Sequence, residues 1–299
     1  MTTDASTIAA PPPARQERIP LGILYMIGST ILFTATSAVS KWLVATYPIG
    51  EVLFARALVG WMVCVLVILP QAGIAVYYTR RFRHHGMRAI SQFFSQSFIL
   101  IAFSLMPMAG VVAINFSAPL FATLLAALLL RERVGAARWI ALAVGFTGVL
   151  IVAHPSPNTF QWGALFALLN AILYASVTVG VRGMTATEST ATLMMYQLSL
   201  LTLLFAPTLL IGIKLPTWPH AGAMLINSLV NLLAQSWWTR ALHLAPASAV
   251  TPFYYLSLVW AMIAGFLVWG DVPTASLFVG SAIVVASGLF LLWRESGRI

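Results

Sequence analysis

Two stretches of this sequence concentrate neutral hydrogen-bonding side chains at helical spacing. Ser91, Gln92, Ser95 and Gln96 share one helix face, and Asn227, Asn231 and Gln235 recur every fourth residue. A side-chain amide both donates and accepts, so two such stripes can hold the ammonium and carboxylate ends of a zwitterion without a fixed charge. The same groups also serve as helix-to-helix bonds. Asn170 and Tyr174 form a shorter set with Ser176 and Thr178, and hydroxyls run from Ser29 to Ser40. Such hydroxyls often bond to their own backbone and are the weaker signal. Aromatic residues near these stripes, Trp238 and Tyr254 among them, suit the wall of a pocket. The candidate binding residues are therefore Gln92, Gln96, Asn115, Asn170, Tyr174, Asn231, Gln235, Trp238 and Tyr254. No His-Glu-x-x-His, His-rich metal spacing or Ser/His pair within an apolar run occurs, so neither an enzyme nor a metal or cofactor site is expected.

The elements that must position these groups are set by composition. Of 299 residues, 60% are hydrophobic and 8% charged, too few charges to cover a water-facing surface. The solvent is lipid, and a soluble enzyme is excluded. The net charge of +9 is scattered between apolar runs, which fits anionic headgroups and excludes a nucleic-acid footprint. Cys64 stands alone, without a disulfide partner.

Ten apolar stretches have about the ~20-residue length that crosses a bilayer: 21–43, 50–69, 88–105, 110–130, 136–153, 161–181, 190–213, 220–242, 247–269 and 274–293. Residues 1–20, with Pro11, Pro12, Pro13 and Pro20, read as an unfolded cytoplasmic tail. With the N-terminus inside, 13 of the Lys and Arg residues fall on the cytoplasmic side, and only Lys41 and Lys214 fall outside. Both termini are then cytoplasmic. Trp42, Trp162, Trp269 and Trp293 stand near span ends as interfacial anchors.

The sequence also resembles itself. A shift of 139 residues sets Gln96-Ser97 on Gln235-Ser236, Gln92 on Asn231, Pro107 on Pro246, Val111 on Val250 and Glu132 on Asp271. A shift of 141 sets Lys41 on Arg182. Five spans per half is an odd number, so the second half must enter from the opposite side, and such inverted repeats characterise secondary transporters. The halves are 21–153 and 161–293.

Ten spans without large loops, and a Pro-x3-Val motif followed by an acidic residue in each half (Pro107, Val111, Glu132; Pro246, Val250, Asp271), resemble the EamA branch of the drug/metabolite transporter superfamily. Among its members the chain looks most like the bacterial amino-acid exporters. The resemblance implies an all-α integral protein of the cell inner membrane, moving amino acids, aromatic and other neutral ones, out of the cell by alternating access. Another small metabolite or drug-like compound, with or without proton coupling, is the alternative, and a channel or membrane-embedded enzyme is the rival of a different class. The partners are a small-molecule substrate and the bilayer, and nothing in the sequence specifies an oligomer.

Three further readings concern mechanism. Pro119 and Pro252 interrupt spans four and nine and should kink them, freeing the carbonyls of Asn115 and Ser248. Glu132 and Asp271 are assigned to closing opposite ends of the bundle through helix-end hydrogen bonds. Arg56 is the one charge clearly inside a span, either reaching back to the interface or paired with Glu51. All seven acids and all five histidines lie in tails, loops or span ends, which favours facilitated diffusion or exchange over a buried proton relay.

Overall fold

With lipid around them, apolar segments must satisfy their backbone N–H and C=O groups internally, and helices do so within one segment. The computed structural model describes residues 18–129, 136–153, 162–184, 188–245, 250 and 253–296, and among these there are helices and no strands. They are α1 (Ile19–Val44), α2 (Ile49–Ala72), α3 (Phe82–Leu105), α4 (Met108–Asn115), α5 (Ala118–Leu129), α6 (Ala136–Ala153), α7 (Trp162–Met184), α8 (Thr190–Phe205), α9 (Trp218–Leu244), α10 (Leu256–Trp269) and α11 (Ala275–Ser296). Short 3-10 turns at Ile74–Tyr77 and Ala206–Leu210 follow α2 and α8.

Ile19–Val44, Ile49–Ala72 and Thr190–Leu210 are long and apolar enough to cross a membrane, with mean hydropathies of 1.6, 2.5 and 1.7. Shorter apolar helical stretches include Met108–Ala122, Trp162–Thr178, Leu256–Trp269 and Ala275–Phe290. The helices α3 and α9 have the length, 24 and 27 residues, but their amide stripes and basic residues lower their hydropathy.

Three boundaries differ from the sequence reading. The expected tail reaches residue 20, yet Ile19 and Pro20 already belong to α1, because proline is tolerated in a first helical turn. The third helix begins at Phe82, six residues earlier than expected, which brings His85 inside it. Span four is two helices rather than one, with a turn at Phe116 and Ser117.

The closest packing runs between halves. Helix α1 lies along α9, α3 along α7, α2 along α8 and α6 along α11. Exchanging each helix for its counterpart five spans away maps this pattern onto itself. It turns α1 with α9 into α7 with α3, and the packing of α4 and α5 on α7 into that of α10 on α1. The repeats are therefore interleaved and do not form separate lobes. The α6–α11 contact is a backbone approach that two glycines permit. A Cβ at Gly148 would lie 2.8 Å from the Gly280 carbonyl oxygen, and one at Gly280 would lie 2.7 Å from that of Gly148.

Candidate functional site

The middle of the bundle is organised by the break in span four. Pro119 has no N–H to give to the Asn115 carbonyl, and the chain answers with a turn just before it. Ser117 N donates to Ile114 O at 3.0 Å, and Ser117 O then accepts from Leu120 N and Phe121 N at 2.9 and 3.1 Å, starting α5 afresh. The expected kink at Pro119 is thus a full break at Phe116 and Ser117. The corresponding Pro252 lies outside the described residues, but Tyr255 occupies a turn before α10. Phe116 and Tyr255, 139 residues apart, meet edge to face with ring centroids 4.9 Å apart, and Tyr254 flanks Phe116 at 6.0 Å. The two interrupted spans touch at equivalent positions.

Around this centre the amides divide into bonded and unbonded groups. Ser95 on α3 donates to Asn170 Oδ1, and Asn170 Nδ2 donates to Asn115 Oδ1, both at 2.7 Å, tying α3, α7 and α4 together. Asn227 Nδ2 donates to Ser40 Oγ at 3.0 Å, joining α9 to α1. Arg56 Nη2 on α2 donates to Gln96 Oε1 at 2.8 Å. The Glu51 carboxylate, expected as an Arg56 partner, instead accepts from Lys214 N at 3.0 Å. Gln92 and Asn231 are half-buried, Gln235 is exposed, and the side chains of all three make no hydrogen bond among the described residues. On α1 the hydroxyls of Ser29, Thr30 and Thr36 bond to carbonyls one turn back, and Trp260 Nε1 also donates to Thr30 Oγ1 at 3.2 Å.

Tyr174, Tyr254 and Arg56 share an unusual environment. Tyr174 keeps 39% of its surface accessible, and Tyr254 and Arg56 are half-buried. The Tyr174 and Tyr254 phenols lie within electrostatic reach of each other. Trp238 is placed elsewhere: it packs with Met26, Ala241, Ala245 and Val250 in a small cluster toward the end of α9.

Each end of the bundle is tied shut differently. At the end where α1 finishes, Lys41 Nζ donates to Met106 O at 3.1 Å, stands 3.9 Å from Asp271 Oδ2 and lies 4.7 Å over the Trp269 ring. Gly270, with φ +69, turns the chain so that Asp271 N bonds back to Gly265 O. The Asp271 carboxylate thus contributes an ion pair to Lys41 instead of the expected helix-end hydrogen bond, and Oδ2 accepts none. Nearby, Tyr47 Oη and His220 Nδ1 are 2.6 Å apart. Trp42, Trp162 and Trp293 are exposed at helix ends as anchors should be, whereas Trp269 is covered by Lys41.

At the opposite end, Arg18 N donates to Leu244 O, Tyr196 Oη to Tyr77 O at 2.6 Å, and Thr79 Oγ1 to Glu188 Oε1 at 2.7 Å. Arg88 donates to Leu193 O and Gln197 Oε1 on α8. His85 is buried, stacked 4.3 Å from the Tyr196 ring, with neither ring nitrogen hydrogen-bonded. The expected span starts at Arg88 and so leaves His85 outside the helix. Glu132 lies outside the described residues.

This geometry, polar groups and aromatics enclosed between two interrupted spans with a closure at each end, is that of a carrier. The sequence matches the EamA-like transporter family over residues 20–153 and 161–293, and the chain belongs to that family. It is a multi-pass protein of the cell inner membrane. It is similar to a riboflavin transporter of Rhizobium johnstonii, 29% identical with 94% of each chain covered. It is also similar to a riboflavin transporter of Vibrio cholerae, 31% identical with 93% of this chain and 94% of the relative covered. An S-adenosylmethionine uptake transporter of Rickettsia bellii is 26% identical, with 92% and 94% covered. All three are named as small-molecule transporters, none of them for amino acids.

Proposed function

We propose that this chain is a ten-span carrier with two inverted five-span repeats and both termini in the cytoplasm. Its substrate is a small metabolite that combines an aromatic ring with several hydrogen-bonding groups. The observation that carries this reading is the set Tyr174, Tyr254 and Arg56, partly accessible polar groups on the helices around the contact of Phe116 with Tyr255. Two phenols and a guanidinium suit a planar heteroaromatic compound by stacking, cation–π contact and hydrogen bonding. Riboflavin, for which two of the relatives are named, has that chemistry and replaces amino acids as the leading substrate.

Because the tightest packing joins helices of opposite halves, the moving bodies are mixed bundles. One is built on α1, α9 and α10, the other on α3, α7, α4 and α5. Their relative rocking opens the Lys41 end, assigned to the outside, and the Arg18 end in turn. Among the described residues no carboxylate lies in the middle of the bundle, so transport follows the substrate gradient.

The test is flux of labelled riboflavin into proteoliposomes, with phenylalanine as comparator and with or without an imposed pH gradient. Saturable riboflavin flux that ignores the pH gradient is expected. Phenylalanine flux without riboflavin flux would restore the amino-acid reading, and flux that requires the gradient would overturn the mechanism while keeping the substrate.

A further inference from the structure

Arg56 is a cation where a cation is hard to keep. It lies about 10 Å along α2, half-buried, at ~1.5 Å of rise per residue. Its single hydrogen bond goes to a neutral amide, Gln96 Oε1, and among the described residues no carboxylate stands within ion-pair distance. A charge inside a membrane span without a counter-charge or a full set of hydrogen bonds is unfavourable, and such a residue marks a ligand path. The guanidinium presents five N–H donors in a rigid planar fork, and Gln96 engages one of them. What remains is a positively charged edge held in place by Gln96, whose own helix α3 packs along α7, the helix bearing Tyr174.

We infer that Arg56, oriented by Gln96, anchors the substrate by a planar pair of acceptors, as found in the two oxygens of a carboxylate or in a carbonyl oxygen beside an unprotonated ring nitrogen of a heteroaromatic compound. This rests on the carrier reading above and adds which part of the cargo is gripped. The fork geometry is what distinguishes this site from one for a simple anion, because a planar acceptor pair takes two parallel N–H bonds from one guanidinium. A lysine at this position would offer charge without that geometry.

The experiment is equilibrium binding to the purified full-length chain with four probes. Riboflavin carries a carbonyl oxygen beside an unprotonated ring nitrogen, S-adenosylmethionine and phenylalanine carry carboxylates, and phenethylamine has the phenylalanine ring without its carboxylate. At least one of the first three binds, Arg56→Gln weakens it about tenfold or more, Arg56→Lys falls between, and phenethylamine shows no dependence on residue 56. A second variant separates gripping from folding. Gln96→Glu supplies an internal carboxylate, so it raises the unfolding temperature while weakening binding at least as far as Arg56→Gln does.

Binding that survives Gln96→Glu unchanged, or equal binding by wild type and Arg56→Gln, overturns the inference, as does the absence of Arg56-dependent binding for all three acceptor-bearing probes. If riboflavin fails while S-adenosylmethionine or phenylalanine shows the dependence, the riboflavin reading falls and the anchor stands. Riboflavin bound alike with and without Arg56 has the reverse meaning.

Discussion

Gln96 and Gln235 occupy equivalent places in the two repeats, 139 residues apart, and the structure treats them as different residues. Gln96 is half-buried and bonded to Arg56, whereas Gln235 is exposed and its side chain is unbonded among the described residues. The cause lies on the neighbouring helix. Thr190 begins α8 141 residues after Ile49 begins α2, so the place of Arg56 is taken in the second half by Gln197. Gln197 bonds to Arg88 across the bundle and has no charge to give to Gln235. Duplication supplies two matching amides, and one cation turns one of them into part of a site. An internal repeat thus locates candidate positions in pairs, but it does not make the pair equivalent in use.

The largest expected effect comes from the amides that bind helix to helix. Asn170→Leu removes both bonds of the Ser95–Asn170–Asn115 chain and leaves two polar partners unsatisfied in the interior. At about 1–3 kcal/mol for each of the two orphaned groups, the loss is on the order of 2–6 kcal/mol. The matching test in the other half is Asn227→Leu, which orphans only Ser40 and also deletes the already unpartnered Asn227 Oδ1. A loss of about 1 kcal/mol is expected there. Unfolding in detergent followed by tryptophan fluorescence ranks the two. Equal losses would mean that the halves are bound together symmetrically after all.

A smaller effect should follow Lys41→Met. Lys41 reaches Met106 O, Asp271 and the Trp269 ring at once, linking α1 to the start of α4 and to the connection between α10 and α11. These are partly exposed contacts of about 1 kcal/mol together, enough to shift a two-state equilibrium about fivefold. A cysteine at position 174, in a chain with Cys64→Ser, reports the shift through its labelling by an impermeant maleimide added outside. Faster labelling in Lys41→Met is expected, and unchanged labelling would remove Lys41 from the closure.

How much of this was legible beforehand depends on the range of the interaction. Helical content, the repeat and the positions of most helices follow from hydropathy and spacing, which are local. So does the break before Pro119, although the sequence suggested a kink where the chain makes a turn. Ser29, Thr30 and Thr36 bond to their own helix, as isolated hydroxyls generally do. What the sequence could not rank was Gln96 against Gln235, or Trp238 against Tyr254. Those distinctions depend on which neighbour lies across the interface. Arg56 was visible as a charge inside a span, yet its partner, 40 residues away on α3, was not the nearby Glu51. The interleaving of the repeats was equally hidden, because periodicity describes each half alone and says nothing of α1 lying along α9.

The smallest effect is the sharpest test of the comparison. Gln235→Ala removes an exposed side chain without a hydrogen-bond partner among the described residues, so its effect on stability should stay within about 0.5 kcal/mol. If Arg56 alone makes the difference between the repeats, the KM for riboflavin should also be unchanged, while Gln96→Ala raises KM by letting the guanidinium lose its preferred orientation. A substantial rise in KM for Gln235→Ala, at unchanged stability, would show that the second amide meets the substrate directly. The carrier would then grip its cargo from both repeats, with a charged edge on one side and a neutral amide on the other.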